Sequence, residues 1–477
     1  MEKIKSFLRR ISEFFSRRKK TTVASVAVVI FIVLVTIGYF AFIKGSSKIN
    51  LGLKSLGIAN RLSSLLPIPD DEKKELDVVD KLVTAFTAKD DKEKTFMVFL
   101  QNPMELRPGG GFLGQYAIVK IKNGEVTSSF VEDANLLDQR IKTDVAPPYP
   151  FKRMLQLKKW KFRDSNFSPD FPTNIEKAKY FYRLAGGSGN FDGFIAVNTE
   201  VFNHILGLTG PISVPGYPGE YNSQDGALKL EEFVEKQYIM DPELDTQNRK
   251  AILKKMAPTI IEKLFTLGNI PKLVELAHTE LKEKNIMINF TDPSLQTLAE
   301  SVHWDGKVST DWGGDYLMLV DANMGALKTD YYIKRSIDYY VDLTAEKPTA
   351  TLNVTYKHTA TAGDWRTSDY HSFLRIYTPK GSNFLERTML GYPNITEEFN
   401  KTVFGVLAHT LINNETKGVF KYELPETLDR ENYRLLIEKQ SGVGDVPVKV
   451  TVKTKDGEYT QEQTLKDDLK FELKKGQ

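Results

Sequence analysis

Residues Thr21–Ile43, TTVASVAVVIFIVLVTIGYFAFI, run for 23 positions without a charged side chain. A helix of about 20 apolar residues spans the hydrocarbon core of a bilayer, so this segment restricts the chain more than any other. A secretory signal has a shorter apolar stretch and a small-residue cleavage site, whereas this run ends in the bulky YFAFI. Its N-terminal flank carries Lys3, Lys5, Arg9, Arg10, Arg17, Arg18, Lys19 and Lys20 against only Glu2 and Glu13. Basic flanks are retained in the cytoplasm. The expectation is therefore a single-pass anchor in the lipid bilayer of the cell membrane, with residues 44–477 outside. A buried core helix is the alternative, and the missing polar face argues against it.

The rest of the chain reads as globular. Charged residues make up 27% and apolar ones 41%, and 477 residues allow two or three domains. A net charge of +3, much of it at the N-terminus, is too small to indicate a nucleic-acid partner. There is no cysteine, so the exterior domains hold together without disulfides, which favours a bacterial envelope protein over a secreted eukaryotic one. Asn-x-Ser/Thr matches at Asn166, Asn289, Asn353, Asn394, Asn400 and Asn414 then read as chance.

The pattern along the chain divides it further. A basic segment (1–20) and the anchor (21–43) lead into a helical stalk (44–93). An α/β or α+β domain with a candidate anion site follows (94–330), because strand-like runs such as TFMVFL and FDGFIAVN alternate with helical ones such as FPTNIEKAKYFYRL. Asn123-Gly124 marks a β-hairpin within it. Beyond Tyr331 only short β-branched or aromatic runs occur between turns, the pattern of an all-β, immunoglobulin-like sandwich (331–477).

The stretch RPGGGFLG (Arg107–Gly114) places Gly109, Gly111 and Gly114 in the spacing of a dinucleotide-binding turn. That turn needs a helix immediately after it, whose N-terminus binds the pyrophosphate. The residues that follow, QYAIVKIK, alternate as a strand does, so no nucleotide cofactor is expected. Two readings stay open. The glycines permit a close turn between strands, or the amides of Gly109, Gly110 and Gly111 form an anion nest beside Arg107, with Asn102 and Glu105 at its edge.

A second polar stretch, WKFRDSNFSPDFP (Trp160–Pro172), lacks any regular period. Arg163 is placed to join Arg107 on an anion, with Asn166 as a further polar contact. Asp133, Asp164 and Asp170 are a candidate set for Mg²⁺, which takes a few carboxylates plus water and phosphate. The plainer alternative is that Asp170 caps the next helix while Arg163 and Asp164 make surface ion pairs. The six histidines show no metal spacing, and no G-x-S-x-G is present.

Six blocks in order, among them QNPMELRPGGGFLGQYA, RDSNFSPDFP, LVDANMGALKTDYYIKRSIDYYV and YRLLIEKQSG, resemble an uncharacterised bacterial membrane-anchored family catalogued as domain of unknown function 4012. The resemblance runs from about Phe96 to Val452. It departs at Gln440-Ser441-Gly442, where a Gln-Pro-Gly is expected. More remotely, Phe191–Val214 is similar to a segment of the LytR-CpsA-Psr phosphotransferases, which attach lipid-linked glycopolymers to the cell wall. That resemblance implies a related α/β core, and pyrophosphate-gripping arginines on the helix that comes next. Here only Asp245 and Arg249 match, with Gln237 and Tyr238 where arginines are wanted.

Two functional expectations result. In one, the chain binds or transfers a lipid-pyrophosphate-linked glycopolymer onto a cell-wall polymer. Arg107, Arg163 and Asp164 would be catalytic. Asn102, Glu105, the three glycines, Asn166 and Arg249 would bind substrate, and Asp133 and Asp170 would hold Mg²⁺. In the other, the chain is a non-catalytic envelope protein whose sandwich contacts a glycan or a protein.

Overall fold

A computed structural model describes residues 70–217, 219–233, 251–264, 269–389 and 393–473. The expected anchor, the first part of the stalk, and Gln237, Tyr238, Asp245 and Arg249 lie outside the described residues. Among the described residues, no helix is long and apolar enough to cross a membrane.

The first domain is a three-layer α/β unit. Its sheet has the order β3-β2-β1-β4-β5, from β1 (Glu93–Asn102), β2 (Phe112–Lys122), β3 (Glu125–Asp133), β4 (Gly193–Asn198) and β5 (Ile286–Phe290). β1 and β4 are parallel and the other pairs antiparallel. Successive side chains of a strand point to opposite faces, and the apolar run of β1 uses both. Phe96 and Val98 join a core with helices α1 (Asp70–Thr87), α5 (Glu200–Thr209), α7 (Ala251–Leu264), α8 (Ile270–Lys282) and α9 (Pro293–Ser301). Met97 and Phe99 join the opposite core with α2 (Ala134–Arg140), α4 (Phe171–Leu184) and Phe162. Short helices α3 (Tyr149–Met154) and α6 (Gly226–Glu231) complete the unit.

Local chemistry explains most of these boundaries. Asn123 and Gly124 have φ of 54° and 78°, the left-handed pair that suits a two-residue hairpin between β2 and β3. The Asp170 carboxylate accepts from Thr173 N at 3.0 Å and starts α4, and Gly186 lies just past its end with φ 90°. The stalk boundary needs correction. Val78, Val79, Leu82 and Phe86 of α1 are buried in the domain core, and Glu75 pairs with His278 at 2.6 Å, so α1 belongs to the domain and not to a stalk.

The C-terminal region consists of two six-stranded sheets. One has the order β10-β13-β8-β7-β15-β16, from β10 (Asn383–Arg387), β13 (Glu415–Glu423), β8 (Thr349–His358), β7 (Ile333–Asp342), β15 (Val446–Thr454) and β16 (Gly457–Leu465). The other has the order β11-β12-β9-β6-β14-β17, from β11 (Asn394–Glu398), β12 (Lys401–Thr410), β9 (Tyr370–Pro379), β6 (Asp315–Asn323), β14 (Arg434–Glu438) and β17 (Leu469–Glu472). Inward side chains of both sheets form one core, including Leu317, Leu374 and Phe404 from the second sheet and Tyr339, Leu352 and Val450 from the first.

This topology moves the start of the sandwich ahead of the expected boundary between Asp330 and Tyr331. The strand YLMLVDAN, assigned from sequence to the α/β domain, is β6, between β9 and β14 in the middle of the second sheet. Its outward residues Tyr316, Met318 and Val320 do not meet solvent. They pack with Val308, while neighbouring Ala322, Met324 and Phe373 pack with Phe151 and Phe167. Loops of the α/β domain therefore cover one outer face of the sandwich.

Candidate functional site

The two polar loops singled out from sequence meet in this seam. The Gly109 amide donates to Asn166 O at 3.0 Å, and Asn166 Nδ2 donates to Gly111 O at 2.6 Å. The Gly110 amide donates to Arg107 O at 3.0 Å. Two of the amides that an anion nest requires are thus already bonded within the protein. The glycines are needed for close approach instead. A Cβ on Gly109 would lie 2.3 Å from Asn174 Nδ2, and one on Gly111 would lie 2.4 Å from the Asn102 carbonyl carbon.

Arg107 is 2% exposed and is fully engaged. Its Nη2 donates to Glu105 Oε1 at 2.8 Å, its Nε to Asp164 Oδ1 at 3.2 Å, and its Nη1 to Asn323 O at 3.3 Å. The guanidinium also lies 5.3 Å from the Phe112 ring centroid and 5.7 Å from that of Phe151. Burial opposes its charge, but Glu105 and Asp164 outweigh burial and raise its pKa. Burial raises the Glu105 pKa in turn, with Arg107 opposing the rise. One cation is held between two carboxylates with little access to solvent.

Other predicted site residues are engaged separately. Arg163 turns to Asp138, with Nε to Oδ2 at 2.8 Å, and does not join Arg107 on a common anion. Asn102 accepts from Met104 N at 3.1 Å and donates to Glu231 at 2.8 Å. The proposed Mg²⁺ set does not fit its ion. Asp133 caps α2 through Asn135 N, Asp164 pairs with Arg107, and Asp170 accepts from Thr173 N and from Val308 N. Among the described residues, no group of three or more acidic or histidine side chains is placed to hold a metal. These carboxylates are paired or hydrogen-bonded across elements of the fold, as buried charges must be.

Several residues of the seam lie in the blocks that carry the family resemblance but are not among the predicted site residues. Arg335 pairs with Asp321 at 2.9 Å and Asp330 at 2.6 Å. Asp330 accepts from Leu106 N at 3.1 Å, which links this second ion-pair centre to the Arg107 centre. Gln440 bonds Asp321 through both its N–H and C=O and donates to Arg107 O at 3.2 Å. Ser441, the position that departs from the resembled family, donates to Lys284 O at 2.6 Å and accepts from Asn198 Nδ2 at 3.1 Å. Gly442, at φ 81°, packs so closely that a Cβ would lie 1.7 Å from Gly110 O. The glycine turn of one domain is thereby closed by the QSG segment of the other.

A third polar group lies where α5, α8 and β14 approach one another. Burial pushes the Glu200 carboxyl up to about 7, and its buried Oε2 has no hydrogen-bond partner among the described residues. His204 contacts Glu280 at 2.5 Å, and that carboxylate raises the imidazole pKa. Lys439, just beyond β14, is pushed down to about 8 by burial and donates to Glu283 O at 2.8 Å. Its neighbour Lys284 pairs with Glu438 at 3.2 Å and Asp468 at 2.9 Å. Perturbed groups of this kind mark either a functional site or an internal ion-pair network. Here the partners belong to both domains, which is the pattern of a joint.

Residues 91–238 match the family model described as "Protein of unknown function (DUF4012)". No curated protein matches the chain. Two solved structures match part of the chain weakly: the Lin1025 protein from Listeria innocua, at 15% identity and a TM-score of 0.26, and a fragment of Lmo1026 from Listeria monocytogenes, at 14% and 0.24. Each covers 47% of this chain, and this chain covers 86% and 85% of theirs.

Proposed function

We propose that this chain, which belongs to the DUF4012 family through residues 91–238, is an anchored extracytoplasmic protein of the bacterial envelope that binds a ligand without transferring it. In this reading the α/β domain is a non-catalytic relative of the LytR-CpsA-Psr core, and the immunoglobulin-like sandwich carries the contact surface. The basic N-terminal flank, the uncharged run from Thr21 to Ile43 and the absence of cysteine support the location. One observation carries the non-catalytic part: Arg107 is buried between Glu105 and Asp164. A guanidinium neutralised in this way has no charge left for a developing phosphate anion, which is how such a group would accelerate phosphoryl transfer.

The test uses the full chain in liposomes with a lipid-pyrophosphate-linked glycan, a peptidoglycan acceptor and Mg²⁺. The expected result is no transfer above the protein-free control. Transfer that disappears in Arg249→Ala would establish the transferase reading instead, because Arg249 is the arginine that the phosphotransferase resemblance leaves in place.

A further inference from the structure

The two outer faces of the sandwich differ. Loops of the α/β domain cover the second sheet, whereas the outer face of the first presents Lys334, Lys357, Lys421 and Lys449 to solvent. An open groove of about 740 Å³ crosses this face over β13, β8, β7, β15 and β16. Ile337, Val354 and Val448 point into the sandwich core, so the residues beside them along each strand point into the groove. They form two rows that run across the strands. One row has Thr355 opposite both Lys417 and Ser336, with Thr464 on the far strand. The other has Asp338 between Asn353 and Lys449, and Lys449 opposite Glu462.

The same face offers its own comparison. Farther along these strands the outward polar groups satisfy one another. Lys453 pairs with Asp342 at 3.1 Å, Tyr340 donates to Glu458 at 3.3 Å, and the Thr451 and Thr460 hydroxyls bond at 3.1 Å. In the groove, Lys449 stands opposite Asp338 and Glu462 yet pairs with neither. The side chains of Ser336, Asp338, Thr355, Glu462 and Thr464 likewise have no hydrogen-bond partner among the described residues. Lys449, Glu462 and Thr464 are exposed and the other three half-buried, so a solute in the groove reaches donors and acceptors that the fold does not use.

Spacing and charge narrow the ligand. Strands lie about 4.8 Å apart and alternate residues of one strand about 6.7 Å, so the groove is about 19 Å long and one ring wide between its rows. Since a cavity of about 150 Å³ holds a benzene ring, the groove takes about four or five rings in file. An extended peptide repeats its side chains on one face every 6.7 Å or so, out of step with the strands, and joins a sheet at its edge. Each ring of a β-1,4-linked hexopyranose chain advances by about one strand spacing, in step with them. Asp338 and Glu462 balance Lys417 and Lys449, so a polymer of uniform charge meets as much repulsion as attraction. Hydroxyls suit both signs, because they donate to carboxylates and accept from ammonium groups. We infer that this groove binds an uncharged β-1,4-linked hexopyranose chain lying across the strands, with about four sugars in contact. No aromatic residue lines the groove, so the sugars are held through their hydroxyl edges. This deepens the binding reading above and rests on it only for where the polymer is met.

The experiment is calorimetric titration of the full chain, in a detergent without a sugar head group, with three probes. These are the β-1,4-linked glucose tetramer, the corresponding dimer, and the α-1,4-linked tetramer, which has the same composition but a coiled path. The β-linked tetramer should bind, and the other two about ten-fold or more weakly, as expected when hydrogen bonds to charged groups are lost. Asp338→Ala and Lys449→Ala should each weaken tetramer binding by about the same factor with an unchanged melting temperature, since neither side chain is bonded within the fold. Glu458→Ala, on the self-satisfied half of the face, should leave binding unaltered. Equal binding of the two tetramers, no binding, binding insensitive to Asp338→Ala and Lys449→Ala, or preference for a polyglutamate or polylysine peptide would overturn the inference. Glycan transfer by a chain that binds the β-linked tetramer would keep the groove and overturn the non-catalytic reading alone; neither transfer nor tetramer binding would overturn the groove alone.

Discussion

Replacing Arg107 by alanine separates a structural from a catalytic role. The substitution leaves Glu105 and Asp164, with side chains 12% and 8% exposed, facing each other without their cation. Removing one partner of a buried ion pair costs about 3–5 kcal/mol, because the remaining charge is stranded in a poor solvent. Whole domains are stable by only about 5–15 kcal/mol, so Arg107→Ala should lose a large share of the margin. The cost should depend on pH. Burial already raises the Glu105 pKa, and without Arg107 it rises further. Protonation then removes the stranded charge, so the defect is greatest above pH 7 and shrinks toward pH 5. The assay is urea unfolding of the full chain at both pH values, followed by near-ultraviolet circular dichroism. A triple variant, Glu105→Gln with Arg107→Met and Asp164→Asn, should recover half or more of the loss, since it leaves no charge unpaired. If Arg107→Ala unfolds within about 1 kcal/mol of wild type and instead loses affinity for pyrophosphate, Arg107 serves a ligand and the joint is misassigned.

Two further outcomes follow from the same seam. Folded Glu200 keeps its proton up to about pH 7, whereas the ordinary glutamate value is 4.5. The folded state therefore binds the extra proton between those values, and stability falls as pH rises through them, by at most about 3 kcal/mol. Glu200→Gln should match wild type near pH 4.5 and be more stable at pH 8 in urea titrations; parallel curves would refute this. Gly442→Ala combines a left-handed φ, worth about 1–2 kcal/mol, with a Cβ placed 1.7 Å from Gly110 O. It should lower the melting temperature sharply, and native proteolysis should cut at the seam; an unaltered melting curve would show that the contact can open freely.

Sequence alone determined the features that depend on neighbours along the chain. Asn123-Gly124 set a hairpin because two adjacent residues accept positive φ. Asp170 capped α4 because its carboxylate reaches an amide three residues on. The strand after RPGGG excluded a nucleotide turn because alternation is local. Only the tertiary structure decided what depends on partners far away. YLMLVDAN is apolar from Tyr316 to Val320 and would suit the centre of either domain's sheet; pairing with β9 and β14 placed it in the sandwich. Arg107 looked like an anion ligand until Asp164, 57 residues on, closed over it. Gln440 lies 333 residues from the carbonyl it binds, and Glu200 and Lys439 have pKa values shifted by burial in the folded chain. Burial and charge compensation belong to the packed seam, and no local pattern encodes them.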